Sequence, residues 1–166
     1  SWDVCRDPHF DRAMLRGRRC YLGMDLSTTK DLTAVVAVFP DDEGGFDVLP
    51  HFFIPKDSMK ERYERDRVDV FTWERGGFLT ATPGNQVDYE AVRQLVKDWG
   101  AEFDNHEIAF DPWNATDLMQ RLQEQDGFTC LPTRQGYASL SAPSKSLEKA
   151  ILSRSLRHDG HPILRW

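Results

Sequence analysis

The sequence predicts an α/β fold in which a mixed sheet carries helices on both faces. Three strand-like runs follow one another near the start of the chain, separated by the turn-forming stretches STTKD and PDDEGG. This order is typical of an antiparallel three-strand meander. After the meander, helical and strand-like segments alternate along the chain, which favours parallel strands that extend the same sheet.

The meander strands are predicted at about Arg19–Leu26, Leu32–Phe39 and Phe46–Ile54. Each run is rich in apolar and β-branched residues and is bounded by turn residues. The charged segment Lys56–Val70 tolerates a helix, and Phe78–Thr82 has the pattern of a short strand that TPGN ends.

The second half of the chain contains the clearest helix signals. Asp88 is a predicted N-cap, and four apolar residues then recur at helical spacing: Val92, Leu95, Val96 and Trp99. A strand at Glu107–Asp111 ends at Pro112, and Asn114 is predicted to cap the next helix. The inner face of that helix is predicted to carry Leu118, Met119 and Leu122.

The last segments are predicted with weaker patterns. Phe128–Pro132 indicates a short strand, and the polar stretch TRQGYASLSAPSKS indicates a loop. A third helix follows around Leu147–Ile151 and is predicted to end near RHDG, after which HPILRW begins a further strand.

Composition excludes several classes of function. The 166 residues carry a formal net charge of −6, which argues against a protein that grips nucleic acid mainly by bulk charge. Neither GxxxxGK[ST] nor GxGxxG occurs, so the chain has no P-loop or Rossmann nucleotide motif. The three cysteines are widely spaced and fit neither a disulfide framework nor a CxxC metal pattern.

Two aspartates lie at or near the ends of predicted strands and are the candidate catalytic residues. Asp25 lies near the end of the first strand, in LGMDLS, and Asp111 ends a later strand, in IAFDPWNA. The carboxyl ends of strands in α/β sheets are where sites form, so two neighbouring strand ends would bring these carboxylates together. Such a pair suits Mg²⁺ or Mn²⁺, and two such ions support phosphodiester hydrolysis.

Other polar and aromatic residues have simpler interpretations. Asp31 is most simply a hairpin turn residue, although it and Ser27 are also candidates for positions beside the site. HDGH is better explained as a loop around Gly160 than as a metal-binding histidine pair, and Trp113 is predicted to lie in the core rather than to stack on a base.

The segments quoted above resemble those of the ribonuclease H-like fold, and more specifically the nuclease domain of the large terminase subunit of tailed bacteriophages. The resemblance rests on RRCYLGMDLSTTKDLTAV, ATPGNQVDYEAV, IAFDPWNA and the closing QGYASLSAPSKSLEKAILSRSLRHDGHPILRW, in this order over about residues 17–166. Holliday-junction resolvases and integrases share the fold, and it is these segments that favour terminase.

The resemblance implies a metal-dependent endonuclease that cuts concatemeric double-stranded viral DNA. Asp25 and Asp111 match two acidic metal ligands, and His158 falls where the family also tends to have histidine. The implied partners are an upstream ATPase motor domain, the small terminase subunit and the portal, and no membrane partner is expected. The implied location is the cytoplasm of an infected bacterium. Arg134, Lys145 and Lys149 are candidates for contacts with the DNA backbone.

The resemblance also sets expectations for domain organisation. Residues 1–16 are expected to be the remnant of a linker from the ATPase domain, and residues 17–166 the nuclease domain, truncated at its C-terminus. The third acidic ligand of the family is expected to follow Trp166, so a site with two carboxylates is expected to bind metal weakly and to cut DNA poorly.

Two alternatives from other functional classes stay open at this point. DLSTT resembles the phosphate hairpin of actin and sugar kinases, although Ser27 stands where that hairpin needs glycine for a close backbone approach. The second alternative is a DNA-docking or assembly module that uses the nuclease fold only as a surface, which the negative net charge favours.

Overall fold

A computed structural model describes residues 1–113 and 115–166, which form one mixed sheet with helices on both faces. The predicted cap Asn114 lies outside the described residues. The strands are β1 Arg19–Asp25, β2 Thr33–Pro40, β3 Phe46–Pro55, β4 Thr80–Thr82, β5 Asp104–Phe110, β6 Cys130–Pro132 and β7 Leu156–Arg157. The helices are α1 Met59–Asp66, α2 Val70–Arg75, α3 Tyr89–Glu102, α4 Thr116–Glu124, α5 Tyr137–Leu152 and α6 Pro162–Arg165.

The strand order confirms the predicted antiparallel meander and its parallel extensions. The order is β4-β3-β2-β1-β5-β6, with β7 paired to the outer side of β3. β1 pairs antiparallel with β2, and β2 antiparallel with β3, whereas β5 pairs parallel with β1 and β6 parallel with β5. The connection from β4 through α3 to β5 therefore crosses β3, β2 and β1, and β1 lies at the centre of the sheet.

One face of the sheet packs against α3 and α4 and forms the main hydrophobic core. Burial alternates along β2, as expected for a strand with one face in a core. The side chains from the helices include the predicted inner-face residues: Val92, Val96, Trp99, Leu118, Met119 and Leu122. Asp88 caps α3 as predicted, because its side chain accepts a hydrogen bond from the Glu90 amide.

The opposite face of the sheet is only partly covered. Two smaller apolar clusters lie over β2 and β3, one with the end of α5 and β7, the other with α1, α2 and α6. An apolar cavity of about 370 Å³ separates α5 from β2 and β3. Over β1, β5 and β6 this face is largely open, and Gly23 in the central strand is exposed.

Three predictions about the last third of the chain were wrong. The predicted loop from residue 133 to 146 is helical from Tyr137 onward, although Pro143 lies inside the helix. Its final turns are fixed because Ala150 is buried against β3 and β7. Leu156–Arg157 is a strand rather than a helix end, and HPILRW is a short helix that His161 caps through Nδ1.

The first sixteen residues pack against the sheet domain. They contain two short 3₁₀ helices, Trp2–Cys5 and Arg12–Leu15, and both Cys5 and Leu15 are buried. Arg6 forms a β-bridge with His158, and the Trp2 ring stacks on the His158 ring with centroids 4.4 Å apart. Within the described residues, none of the helices has the length and apolarity to cross a bilayer.

His51 on β3 predicts a measurable pH dependence of folding. Burial lowers the pKa of His51 from 6.5 to about 4, while its Nε2 lies 2.8 Å from the Thr80 hydroxyl. Because the unfolded chain binds this proton more readily, folding loses stability as pH falls from 6.5 towards 4. We expect the free energy of unfolding to fall by about 2 kcal/mol across this interval, as measured by urea denaturation.

A His51→Gln variant supplies the control for this effect. Glutamine can still hydrogen-bond to Thr80 but does not titrate, so its stability should change less between these two pH values. An equal pH dependence in the variant and the parent chain would show that His51 is not the group responsible.

Candidate functional site

The two candidate aspartates lie at the ends of neighbouring parallel strands at the centre of the sheet. Asp25 is the last residue of β1, and Asp111 directly follows the last residue of β5. The β1–β5 register pairs Met24 with Phe110, so the next residue of each strand is an aspartate. Neighbouring strands lie about 4.8 Å apart. The structure therefore brings Asp25 and Asp111 to adjacent positions at one edge of the sheet.

The alternation of side chains assigns both aspartates to the open face. Met24 and Phe110 belong to the main core, so the residues on either side of them point to the opposite face. On that face Asp25 is preceded by Gly23 and Asp111 by Ala109, which pair with each other. These small residues leave the approach to the carboxylates free, and a Cβ built on Gly23 meets no atom within 4 Å.

A hydrogen bond from the following turn constrains the Asp111 carboxylate. The backbone N–H of Trp113 donates to Asp111 Oδ1 at 3.0 Å. This contact leaves Asp111 Oδ2 available for another ligand. Asp25, by contrast, is exposed and is positioned by the ladder that pairs it with Ala34 on β2.

Ser27 lies two residues beyond Asp25 and organises the β1–β2 turn. Its amide donates to Thr33 Oγ1 at 3.0 Å, and the Thr33 hydroxyl donates back to the Ser27 carbonyl at 3.0 Å. The Ser27 hydroxyl accepts from the Asp31 amide, and Tyr89 donates to the Ser27 carbonyl. Ser27 thus fixes the backbone that follows Asp25.

Asp31 takes part in a contact with α1. Arg62, which is largely buried, donates to Asp31 Oδ1 at 3.1 Å and to the Lys30 carbonyl at 3.0 Å. This ion pair links the β1–β2 turn to α1. In the structure Asp31 therefore supports the turn through α1, and the described residues contain no three-ligand group that would add it to the Asp25–Asp111 pair.

His158 does not lie beside this site, which corrects the expectation from the sequence. It follows β7, on the outer side of β3, so β2 and β3 separate it from β1. Its ring is 1% exposed and lies against Trp2. Nε2 contacts the Trp2 carbonyl at 3.1 Å, and Nδ1 accepts from the Gly160 amide at 3.0 Å. These contacts assign His158 a structural position, and HDGH is a loop around Gly160 as predicted, with φ +89°.

The three basic candidates are all exposed, but only one lies next to the carboxylates. Arg134 follows β6, whose end is joined to β5 by a 2.7 Å bond from the Thr133 amide to the Phe110 carbonyl. Arg134 is therefore at the same sheet edge as Asp111. Lys145 and Lys149 lie farther along α5, towards the end that packs on β3.

The donor atoms at this edge fit a hard divalent cation. Both candidate ligands are carboxylates, so the pair offers only oxygen atoms as ligands, and Mg²⁺ and Mn²⁺ prefer oxygen. Burial raises the thiol pKa of Cys20 to about 12 and of Cys130 to about 11, so these core thiols are poor metal ligands. Across residues 1–113 and 115–166, no group of three or more His, Cys, Asp and Glu side chains could hold a metal.

Sequence reasoning missed two features of this edge. The first is that Gly23 and Ala109 leave the sheet face next to the carboxylates uncovered. The signal was present, because LGMD and IAFD each have a small residue two positions before the aspartate. Trp113 was predicted to be a core residue, and its side chain is instead 78% exposed. Only the pairing of β1 with β5 reveals that all of these positions share one region.

Comparison with known proteins gives concordant matches over the chain. The family model described as "Terminase large subunit, endonuclease domain" matches residues 1–166. The large terminase subunit of Enterobacteria phage HK97 is 33% identical over 166 residues, which is 98% of this chain and 32% of that protein. Protein YmfN of Escherichia coli K12 is 30% identical over 174 residues, covering 100% of this chain and 38% of that protein.

A solved structure extends the similarity to the fold. The crystal structure of the HK97 bacteriophage large terminase matches with a TM-score of 0.83 and 33% identity, covering 98% of this chain and 33% of that chain. The match agrees with the predicted ribonuclease H-like arrangement of the mixed sheet. The chain spans roughly a third of the length of the relatives that it matches.

Proposed function

This chain belongs to the family of terminase large-subunit endonuclease domains, and from that premise we propose that it is a divalent-metal-dependent endodeoxyribonuclease. Its substrate would be concatemeric double-stranded viral DNA, cut during genome packaging. The observation that carries the proposal is the position of Asp25 and Asp111 at the ends of two paired parallel strands on an open face. Family membership sets aside the nucleotide-binding alternative.

In the proposed site, Asp25 and Asp111 hold one or two Mg²⁺ or Mn²⁺ ions. Bound there, the cation would polarise the scissile phosphate and lower the pKa of the attacking water. The Trp113 amide orients the Asp111 carboxylate, and the hydrogen bonds of Ser27 and Thr33 fix the backbone after Asp25. Arg134 contacts a phosphate of the DNA backbone, which positions the duplex without selecting a sequence.

The setting of the activity is part of the same proposal. The domain would act in the cytoplasm of an infected bacterium, together with an ATPase motor domain, the small terminase subunit and the portal. Because the proposed DNA contacts reach the backbone rather than base edges, the choice of cutting position would come from these partners.

Weak metal binding by the isolated chain is the first test of this proposal. Two carboxylates supply fewer charged ligands than tight oxygen-ligand sites use, so we expect Mn²⁺ to bind with a dissociation constant above about 10⁻⁴ M. Calorimetric titration of the chain with Mn²⁺ measures this value. We further expect slow nicking of supercoiled plasmid in Mn²⁺, and none in EDTA.

Each outcome of these two assays has a consequence. Rapid plasmid cleavage by the 166-residue chain would contradict the weak two-carboxylate site. Complete absence of both Mn²⁺ binding and nicking, with DNA binding retained, would instead support the alternative of a non-catalytic DNA-docking or assembly module. That alternative is favoured by the absence of a three-ligand group among the described residues.

A further inference from the structure

Two large aromatic side chains that follow the ends of β5 and β6 are exposed. Trp113 is 78% exposed and Tyr137 is 92% exposed. Burying an aromatic side chain of this size stabilises a folded protein, and the fold does not use this contribution here. Exposed apolar groups that are clustered rather than scattered mark surfaces of interaction.

The sheet register brings these two residues to one edge. Trp113 lies two residues beyond Asp111 and donates its backbone N–H to that carboxylate. Tyr137 begins α5, five residues after the end of β6. The Thr133 amide, bonded to the Phe110 carbonyl, joins the loop after β6 to the end of β5. Arg134, also exposed, lies in that same loop, three residues before Tyr137.

We propose that Trp113 is a DNA-positioning residue whose indole packs into the minor groove of the duplex next to the phosphate to be cut. This inference rests on the proposed nuclease function. Apolar side chains that enter a minor groove contact deoxyribose and base edges without reading a unique sequence. Because the Trp113 amide also holds Asp111, seating the indole would place the phosphate backbone over the carboxylates.

The charge of the protein explains why an apolar contact would be needed. With a net charge of −6, the chain has little general attraction for phosphate. Contacts made by Lys and Arg weaken as salt rises, whereas an apolar contact releases no counterions. Arg134, in the loop that is bonded to the end of β5, supplies one complementary charge, which favours a nucleic acid over an apolar peptide as the occupant.

Fluorescence anisotropy with a labelled DNA duplex in EDTA tests this role without cleavage. We expect Trp113→Ala to weaken duplex binding by about 10- to 100-fold, from the loss of one buried apolar side chain, by a similar factor at every salt concentration. Arg134→Ala should instead reduce the slope of log affinity against log salt by about 0.9. Trp113→Phe should restore most of the affinity because it retains an aromatic wedge.

Trp166→Ala is the matched control, because Trp166 is also exposed but lies near Trp73 of α2 and the Arg62 guanidinium of α1 rather than next to β5. It should bind duplex DNA like the parent chain. Circular dichroism checks that all variants are folded. Trp113→Ala should fold like the parent chain because the side chain that it removes is exposed. Unchanged affinity in Trp113→Ala would overturn the inference. A loss confined to single-stranded DNA would also overturn it, in favour of stacking on an unpaired base.

The nuclease function is tested separately with Asp25→Asn. If this variant loses nicking while Trp113→Ala keeps its duplex affinity, the positioning role is wrong and the nuclease proposal stands. If Trp113→Ala loses affinity but neither the parent chain nor any variant cuts DNA, the positioning contact is supported and the nuclease proposal fails.

Discussion

Replacing Asp25 by asparagine is expected to abolish metal-dependent DNA cleavage, reducing nicking in Mn²⁺ to the rate found in EDTA. The substitution preserves the size of the side chain but removes one of two negative charges that lie next to each other at the ends of β1 and β5. The stability of the fold should not change measurably, since Asp25 is exposed and makes no ion pair within the described part of the chain.

Metal affinity provides a second measurement on the same variant. Loss of a group that merely orients a metal ligand costs about 10–100-fold in affinity, and loss of a ligand should cost at least as much. Calorimetry with Mn²⁺ should therefore detect no binding by Asp25→Asn or Asp111→Asn.

The matched control is Asp42→Asn, which removes an exposed carboxylate from the β2–β3 turn, at the other end of the meander. It should bind Mn²⁺ and nick plasmid like the parent chain. Normal nicking by Asp25→Asn would show that Asp25 is not a metal ligand, and the proposed mechanism would fail.

Replacing Gly23 by valine is expected to stop cleavage while leaving the fold intact or slightly more stable. Glycine in a strand interior is unfavourable, and valine is well suited to a strand, so the gain in stability can reach about 1 kcal/mol. A Cβ at residue 23 meets no atom within 4 Å, so the protein itself has room for the side chain. The added methyl groups would instead occupy the space through which DNA must approach Asp25.

Displacement of a substrate by about 1 Å can cost 100-fold in rate, and we expect at least this loss of nicking for Gly23→Val. Mn²⁺ binding should be retained, because both carboxylates are present. Glu107→Val is the control: Glu107 is exposed on the same face of β5, but it pairs with Tyr21, farther from the strand ends. If Gly23→Val nicks plasmid at the normal rate, the open face over β1 is not the path of the substrate.

Strong local signals account for the part of the fold that was predictable. The meander follows from β-branched runs separated by turn residues, and α3 and α4 from apolar residues at helical spacing, with Asp88 as a cap. The two aspartates could be selected because each lies at the end of a strand. Their adjacency depends on β1 and β5, which are far apart in the sequence, forming a parallel pair.

The errors arise where tertiary packing outweighs local preference. Ser, Gly and Pro residues around Pro143 favour a loop, but burial of Ala150 and the contacts of the last turns hold α5 in place. His158 was predicted to lie near the site because it falls where the family also tends to have histidine. Its ring instead stacks on Trp2, away from the carboxylates. The exposure of Trp113 could not be read from a pattern, since tryptophan at a helix entrance is equally compatible with a core position.

The ion pair between Asp3 and Arg165 makes this 166-residue chain a good candidate for circular permutation. Asp3 accepts hydrogen bonds from the Arg165 guanidinium at 2.6 and 3.1 Å, and Trp2 and Trp166 border one cleft. A short glycine-rich tether could join these ends without crossing the sheet. New termini could then be opened in the turn between β2 and β3, remote from Asp25 and Asp111, so that a reporter or tag could be attached without obstructing the carboxylates.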